Sequence, residues 1–376
     1  MLLLYILCGI AIVQGIISLV QGMKSIHHIR TYRPHGNWRP RVVVFCPCRG
    51  VDEGFSTNVQ SVLDQDYPTL RVVFIVDSET DPAVDPLRRL HANVLVAGPA
   101  TGRGQKVHNL IYGVEHAAGD AEVFAFCDAD VRFPREWMTN LMAPLEREDV
   151  AVSTGYRWYA AETGSLPSFL RSAWNASVVT ALGDHDRNFA WGGSMALRRE
   201  VFDRLEIIKE WSGALSDDYA VTRAAHRSGK RIVFNPQCLI PSYGDCTWSD
   251  LLEFTTRQIL ITRIYDPATW WTAMVSQTIF NVAFWGALAL PEPFPLVTLG
   301  LYLLAAIKSY LRYQAVATVL SPPALSKDVA AYVLSAPLTA LVFEYNLLRS
   351  MFTRNITWRQ IRYTLVSPTQ TIIHEN

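Results

Sequence analysis

The chain has 376 residues, half of them hydrophobic, and its 34 basic residues balance its 34 acidic residues. This balance predicts neither the basic surface of a nucleic-acid-binding protein nor an acidic tail, so we expect no nucleic-acid partner. The 6 cysteines form no CxxC pair and no Cys/His cluster, which argues against structural zinc and against a disulfide framework.

The N-terminal segment, residues 1–23, contains no charged side chain and is followed by cations at Lys24, Arg30 and Arg33. A helix of this length crosses roughly 30 Å of hydrocarbon. A cleaved signal peptide would instead begin with a basic region and end at a small-residue cleavage site. We therefore predict an uncleaved transmembrane anchor. The positive-inside rule places the next domain in the cytoplasm, at a bacterial inner membrane or an organelle membrane.

Residues 38–247 have ordinary globular composition and are predicted to form one cytoplasmic domain. Short β-branched runs at 41–45 and 71–76 are typical of buried parallel strands, and residues 58–63 and 106–117 have helical apolar spacing. This alternation predicts an α/β fold with a doubly wound sheet. In such a sheet, ligands bind beyond the carboxyl ends of the strands.

Two carboxylates, Asp128 and Asp130, follow directly after the apolar run 123–127. Carboxylates one residue apart supply hard oxygen ligands to Mg²⁺ or Mn²⁺ and leave coordination sites for water and phosphate oxygens. Acidic pairs after strands also occur as plain solvated turns. The pair therefore indicates a divalent metal site only in combination with other motifs.

The second half of the chain is again apolar, with no charged residue between Asp266 and Glu292. Pro337 interrupts an apolar segment that has basic residues on both sides, and we interpret this segment as a re-entrant or interfacial hairpin. The predicted divisions of this half are an interfacial helix at 248–266, membrane helices at 270–348 and a basic tail at 349–376.

A series of short motifs occurs in the same order as in a known enzyme group. The motifs are residues 58–68, 76–83, 106–110, 128–130, 192–199, 216–219 and 356–359. On these motifs the sequence resembles the inverting nucleotide-sugar glycosyltransferases with a GT-A fold, a group that includes cellulose and hyaluronan synthases. The strongest resemblance is to the ceramide glucosyltransferases.

The resemblance implies a GT-A-type mixed sheet as the catalytic domain, with membrane helices on both sides of it. It also implies a membrane-bound, metal-dependent transfer of a hexose, with glucose favoured, from a UDP-sugar to a lipid hydroxyl such as that of ceramide. The cofactor would be Mn²⁺ or Mg²⁺. One alternative is a processive polysaccharide synthase, which shares the acidic motifs, and another is a catalytically silent lipid- or nucleotide-binding membrane protein.

The residues of the donor side take their roles from the same resemblance. Asp77, at the end of a predicted strand, would accept hydrogen bonds from the uracil ring, and Lys106 would face the nucleotide. Asp128 and Asp130 would hold the nucleotide sugar, Asp130 through the metal. For Lys106, a solvated lysine at a helix start is an equal alternative.

The remaining motifs are assigned to the acceptor side. Asp218 would be the general base that takes a proton from the acceptor hydroxyl, with Asp217 as the adjacent carboxylate that tunes it. The alternative is a helix N-cap at Ser216 or Asp217, which is compatible with catalysis at Asp218. Trp191 and Gly193 would line the diphosphate and acceptor region, since glycine permits close approach of the backbone to a ligand.

One departure from the family pattern concerns the cation for the leaving diphosphate. The family's Gln/Arg-x-x-Arg-Trp signature should fall at 254–265, where no Arg-Trp pair is present. Arg257 aligns with its first basic position, and Gln258 is assigned to the same diphosphate and acceptor region. Leu260 and Ile261 stand where the Arg-Trp pair should be, and Arg263 followed by Tyr265 would replace them further along the helix. The alternative is an interfacial helix whose arginines bind phospholipid headgroups.

Overall fold

The structure is a computed structural model that describes residues 1–162, 164–291, 293–320 and 329–374. The chain forms two compact units, each built from segments that are distant in sequence. The first, which we call the helical unit, contains Met1–Thr31, Tyr159–Gly183 and Gly244–Arg354. The second, the sheet unit, contains Tyr32–Trp158, Asp184–Tyr243 and Asn355–Asn376.

Seven strands form the main sheet. They are β1 (Val42–Pro47), β2 (Leu70–Val76), β3 (Asn93–Val96), β4 (Val123–Cys127), β5 (Val150–Ala160), β6 (Ser194–Arg198) and β7 (Arg231–Tyr243). Their order in the sheet is β3-β2-β1-β4-β6-β5-β7. The strands β1 to β4 pair in parallel, whereas β6 runs antiparallel to both β4 and β5. The sheet is therefore mixed, with a parallel half and an antiparallel insertion.

Helices alternate with these strands and also form most of the helical unit. They are α1 (Leu2–Thr31), α2 (Phe55–Leu63), α3 (Val84–Arg89), α4 (Gln105–Ala117), α5 (Trp137–Met142), α6 (Leu166–Val179), α7 (Arg199–Arg204), α8 (Ile207–Trp211), α9 (Asp217–Arg227), α10 (Trp248–Tyr265), α11 (Pro267–Leu288), α12 (Phe294–Val316), α13 (Val329–Leu334) and α14 (Ala336–Met351). The predicted helices at 58–63 and 106–117 correspond to α2 and α4.

The main sheet is covered by helices on both faces. In β1, Val44 and Cys46 point into one apolar cluster and Val43 and Phe45 into the other, as expected from the alternation of side chains along a strand. The first cluster is completed by α2, α3 and α5, and the second by α4, α7, α8 and α9. The predicted α/β fold class with a doubly wound mixed sheet is confirmed.

The carboxyl ends of the central parallel strands lie at one edge of the main sheet. Asp77 follows β2, Asp128 follows β4, and Arg49 lies just beyond β1, which is the strand between them. The strand order thus brings side chains from distant parts of the sequence to the same edge, where ligands bind in folds of this kind.

A second, three-stranded sheet is formed by β8 (Asn355–Trp358), β9 (Ile361–Ser367) and β10 (Gln370–His374), and we call it the C-terminal sheet. All its pairings are antiparallel. Only a basic tail was predicted for 349–376, but Tyr363 and Leu365 of β9 are fully buried and the strands belong to the sheet unit. This segment is therefore an integral part of a folded core.

The helical unit contains α1, α6 and α10 to α14. Among the described residues, α1 and α12 are long and apolar enough to cross a membrane. The predicted anchor 1–23 lies within α1, which continues to Thr31. The predicted helix 248–266 corresponds to α10, whose start is fixed by a capping box between Thr247 and Asp250. Pro337 lies in the first turn of α14, where its missing N–H costs little.

Candidate active site

Asp128 and Asp130 share one cation at the end of β4. The guanidinium of Arg157, from β5, lies 2.9 Å from Oδ2 of Asp128, and it contacts both oxygens of Asp130 at 2.6 and 2.9 Å. Arg157 is 8% exposed, and its guanidinium lies over the ring of Trp191, 5.3 Å from the centroid. The oxygens of both aspartates therefore converge on a single cation position.

The contacts of Arg157 show that Asp128 and Asp130 suit a divalent ion. Carboxylate oxygens are the ligands that Mg²⁺ and Mn²⁺ prefer, and Arg157 shows that oxygens of Asp128 and Asp130 reach one position. The residues therefore fit a divalent ion. Among the described residues, no group of three His, Cys, Asp or Glu side chains is arranged as a metal site. Water or substrate oxygens would supply the remaining ligands.

Lys106 joins the two acidic motifs. It lies in the first turn of α4, and its Nζ atom is 2.8 Å from Oδ1 of Asp128 and 3.2 Å from Oδ1 of Asp217. Burial lowers the pKa of Lys106, but the carboxylates of Asp128, Asp217 and Asp218 outweigh burial, so that the pKa is raised overall. Lys106 is thus a largely buried, charged residue and not a solvated lysine. We call Asp128, Asp130, Asp217 and Asp218, together with Lys106, the acidic cluster.

The pKa of Asp128 responds to the same cations. Burial opposes its ionisation, but Lys106 and Arg157 together hold the pKa of Asp128 below its ordinary value. The pKa of Asp217 is raised, to about 6. Burial raises this pKa more than Lys106 lowers it, and the neighbouring carboxylates raise it further. Asp217 is 2% exposed, and its Oδ2 atom has no hydrogen-bond partner in the described part of the chain.

Asp218 is oriented by the backbone and remains partly exposed. The N–H of Gly192 donates to its Oδ2 at 3.1 Å, and the N–H of Tyr219 donates to its Oδ1 at 2.8 Å. Ser216 donates its hydroxyl to the same Oδ1 and also caps α9, accepting from the N–H of Tyr219. The N-cap alternative is therefore correct for Ser216, and it coexists with an oriented carboxylate at Asp218.

The glycines of the 192–199 motif allow close packing within the acidic cluster. A Cβ atom on Gly192 would overlap Oδ2 of Asp217 and lie 2.9 Å from Nζ of Lys106. A Cβ atom on Gly193 would overlap the ring of Trp191. The sequence predicts close approach to a ligand at these glycines, with a plain turn as the alternative. The close contacts in the structure are to the side chains of Asp217, Lys106 and Trp191.

Asp77 lies beside a second set of charged groups at the same sheet edge. It forms an ion pair with Arg49, whose Nε atom donates a hydrogen bond to the carbonyl of Arg359 at 3.0 Å. Arg359 in turn donates to Oδ1 of Asp52 at 2.8 Å and forms a second bond to the same carboxylate. Arg359 belongs to the hairpin between β8 and β9, so that the C-terminal sheet contributes to this edge.

Arg257, Gln258 and Arg263 lie in α10, in the helical unit. Arg257 is 3.7 Å from Glu253, one helical turn away. Arg263 donates hydrogen bonds to the carbonyls of Ser350 and Thr353. These contacts are made within the helical unit, whereas the acidic cluster belongs to the sheet unit.

The sequence alone predicts no role for Arg49, Arg157 or Arg359. Arg157 is the cation inside the 11-residue strand β5, in which every residue is buried. An arginine within such a strand requires an acidic partner, and this is the signal that would have identified it. Arg359 was part of the motif 356–359 but carried no role.

Sequence comparison with known proteins gives short or distant matches. The chain is 30% identical over 101 residues to the ceramide glucosyltransferase of Komagataella phaffii, a match that covers 24% of this chain and 19% of that protein. The chain thus spans less than a fifth of this relative's length in the match.

Two solved structures are similar to the chain at low identity. The mannosyltransferase PcManGT from Pyrobaculum calidifontis, in complex with GDP-Man and Mn²⁺, has a TM-score of 0.49 at 16% identity, covering 92% of this chain and 99% of that one. Glucosyl-3-phosphoglycerate synthase from Mycobacterium tuberculosis, in complex with Mn²⁺ and UDP-Glc, has a TM-score of 0.41 at 14% identity, covering 62% and 84%.

A family model covers nearly the whole chain. The model described as glycosyl transferase family 21 matches residues 3–371, from the first turn of α1 to the C-terminal sheet. The match thus includes the acidic cluster, the helical unit and the hairpin that carries Arg359. The chain belongs to glycosyl transferase family 21.

Proposed function

We propose that this glycosyltransferase is a membrane-bound, inverting enzyme that transfers a hexose, glucose foremost, from a UDP-sugar to a lipid hydroxyl such as that of ceramide. The observation that carries the proposal is the position of Lys106 between Asp128 and Asp217. This lysine joins the motif at 128–130, assigned to the donor, to the motif at 216–219, assigned to the acceptor. The partial match to a ceramide glucosyltransferase supports the choice of donor and acceptor.

On the donor side, Asp77 would accept hydrogen bonds from the uracil ring, while Asp128 and Asp130 would hold a divalent ion. Bound Mn²⁺ or Mg²⁺ would offset the charge that develops on the leaving diphosphate. Lys106 keeps its charge at neutral pH because the surrounding carboxylates raise its pKa, so it contributes a fixed positive charge beside the nucleotide.

On the acceptor side, Asp218 would be the general base. Its carboxylate is partly exposed and is oriented by the N–H groups of Gly192 and Tyr219, so that an oxygen can take the proton of an acceptor hydroxyl. Asp217 is too deeply buried for this task and is paired with Lys106. We therefore assign Asp217 to positioning Lys106.

The membrane part of the proposal rests on α1 and α12, which are long and apolar enough to cross a bilayer. Lys24, Arg30 and Arg33 follow the apolar part of α1, so the positive-inside rule favours a cytoplasmic sheet unit. A lipid acceptor is consistent with an enzyme held permanently at a membrane.

The experiment is to incubate the purified full chain in detergent with a panel of nucleotide sugars and membrane lipids, with Mn²⁺ or Mg²⁺ present, and to identify products by mass spectrometry. We expect one lipid hexoside, and Asp218→Asn should reduce its rate by about 10²- to 10⁴-fold. Asp120→Asn, at an exposed position, is the matched control. Equal product from Asp218→Asn and wild type would refute the base assignment, and a long polymer would favour a polysaccharide synthase.

A further inference from the structure

The C-terminal sheet contacts the start of α4 and the loop before α9, the two segments that lead into the acidic cluster. The hydroxyl of Tyr363 in β9 accepts a hydrogen bond from the N–H of Gln105 at 3.3 Å, and Gln105 directly precedes Lys106. Thr371 in β10 donates to the carbonyl of Gly213, shortly before α9, at 2.9 Å. These strands therefore support the backbone on both sides of the ion pair between Lys106 and Asp217.

The hairpin between β8 and β9 has an unusual backbone at Arg359. Both central residues of its turn, Arg359 and Gln360, have left-handed conformations with φ of 49° and 67°. Such turns match the twist of a hairpin, but they are normally made with asparagine and glycine, since a left-handed conformation strains other residues. Asparagine would form this turn more easily than arginine does, so Arg359→Asn is compatible with its backbone.

The side chain of Arg359 lies within the electrostatic field of the donor motif. Its closest contacts are to the carboxylate of Asp52, and the charges of Asp130 and Asp128 also act to raise its pKa. Arg49, which is bonded to the carbonyl of Arg359, is paired with Asp77. Both guanidinium groups thus lie at the edge where the nucleotide would bind.

A leaving diphosphate gains negative charge as the sugar is transferred, and arginine is suited to bind it because its planar fork matches phosphate oxygens. The family signature assigns this task to Arg257 and Arg263. Within the sheet unit, Arg359 offers a further guanidinium, beside the pair formed by Arg49 and Asp77. A guanidinium has five N–H donors, so a bond to Asp52 leaves Arg359 with donors for a second anion.

We propose that Arg359 binds the diphosphate of the nucleotide-sugar donor, with Arg49 beside it, so that the C-terminal sheet forms one wall of the donor site. This inference rests on the proposed function, because it names a ligand contact within the same site.

The test compares the binding of UDP and UMP to the full chain in detergent by calorimetry. Arg359→Asn removes the charge but keeps a residue that tolerates the left-handed turn, Arg359→Lys keeps the charge without the fork, and Arg362→Ala is an exposed control on β9. Loss of a charge-assisted hydrogen bond predicts that Arg359→Asn weakens UDP binding by about 10- to 100-fold. UMP binding should change by less than about threefold, since UMP lacks the β-phosphate.

In turnover assays, the same variant should raise KM for the donor and lower kcat, because the contact strengthens as charge develops. Arg359→Lys should recover part of both losses. Unchanged UDP affinity in a folded Arg359→Asn variant would overturn the inference and leave the proposed function intact. If the wild type binds GDP in place of UDP, the proposed UDP-sugar donor is wrong. The effect of Arg359→Asn is then measured on the binding of GDP and GMP. Binding of neither diphosphate by the wild type would overturn both proposals.

Discussion

Lys106 and Asp217 form a buried ion pair in which Nζ lies 3.2 Å from Oδ1, yet the pKa of Asp217 is raised to about 6. The ion pair thus only partly offsets the effect of burial on the carboxylate. Lys106 is shared with Asp128, which lies closer to it at 2.8 Å. Near neutral pH the cluster is close to a change in its protonation state, and this has a measurable consequence for stability.

We expect the stability of the protein to fall as pH rises from about 4 to about 6. The folded state binds a proton at Asp217 more tightly than the unfolded chain does, so this stabilisation is complete below the unfolded pKa of 3.8 and is lost as pH rises through about 6. One such group contributes a slope of at most about 1.4 kcal/mol per pH unit. Melting temperatures of wild type and Asp217→Asn between pH 4 and 7 measure it.

The variant Asp217→Asn should lose this part of the pH dependence, while Asp120→Asn, at an exposed carboxylate, should retain the wild-type slope. Identical pH profiles for wild type and Asp217→Asn would contradict the assignment of the raised pKa to Asp217.

We expect Arg157→Ala to bind Mn²⁺ more tightly than the wild type does. The guanidinium of Arg157 occupies the position on which Asp128 and Asp130 converge, so it competes with a metal ion for the same oxygens. Removal of charge-assisted hydrogen bonds worth about 1.5–3 kcal/mol would strengthen Mn²⁺ binding by about 10- to 100-fold. Titration calorimetry without nucleotide measures this affinity. The control is Arg147→Ala, which removes an exposed arginine paired with Asp149. If Arg157→Ala binds Mn²⁺ no more tightly than the wild type does, Arg157 does not compete with the metal ion.

Gly192→Ala should disrupt the acidic cluster. A methyl group at this position would overlap Asp217 and lie 2.9 Å from Nζ of Lys106, so that the ion pair must separate. Overpacking of this kind costs about 1–3 kcal/mol, and we expect kcat to fall by at least about tenfold as the cluster is displaced. Gly300→Ala is the control, since a methyl group there meets nothing within 4 Å. Wild-type turnover by Gly192→Ala would show that the cluster tolerates a different geometry.

Tyr363→Ala should destabilise the sheet unit by about 3–5 kcal/mol, because it removes a fully buried aromatic ring and the acceptor for the N–H of Gln105. Ile372→Ala, at a 44% exposed position in β10, should change stability by less than about 0.5 kcal/mol. Thermal unfolding in detergent compares the two variants. If both melt at the wild-type temperature, the C-terminal sheet is not part of the cooperative core.

Strands β1, β2 and β4 of the parallel half could be predicted because their signal is local, whereas the short strand β3 was not predicted. The strands β1 and β2 are continuous β-branched runs that end at turns, and α4 shows apolar residues at helical spacing between polar ones. The position of Asp77 and Asp128 at one sheet edge then follows from the rule for parallel strands.

The partners of these aspartates could not be predicted, because they depend on strand order. Arg157 reaches Asp130 from β5, which is separated from β4 by β6 in the sheet. No spacing in the sequence indicates that β6 is inserted between them. The C-terminal sheet was missed for a different reason, since the turn at Arg359 lacks the glycine or asparagine that normally marks a short hairpin.

The placement of β8 to β10 after α14 has a consequence for biosynthesis. The sheet unit needs these strands, yet the ribosome makes them only after all of the apolar helices have been translated. A nascent chain at that stage carries the aspartates of the main sheet but lacks Tyr363 and Leu365, the buried residues that β9 adds to the sheet unit. The sheet unit can therefore complete its fold only after the whole helical unit has been translated.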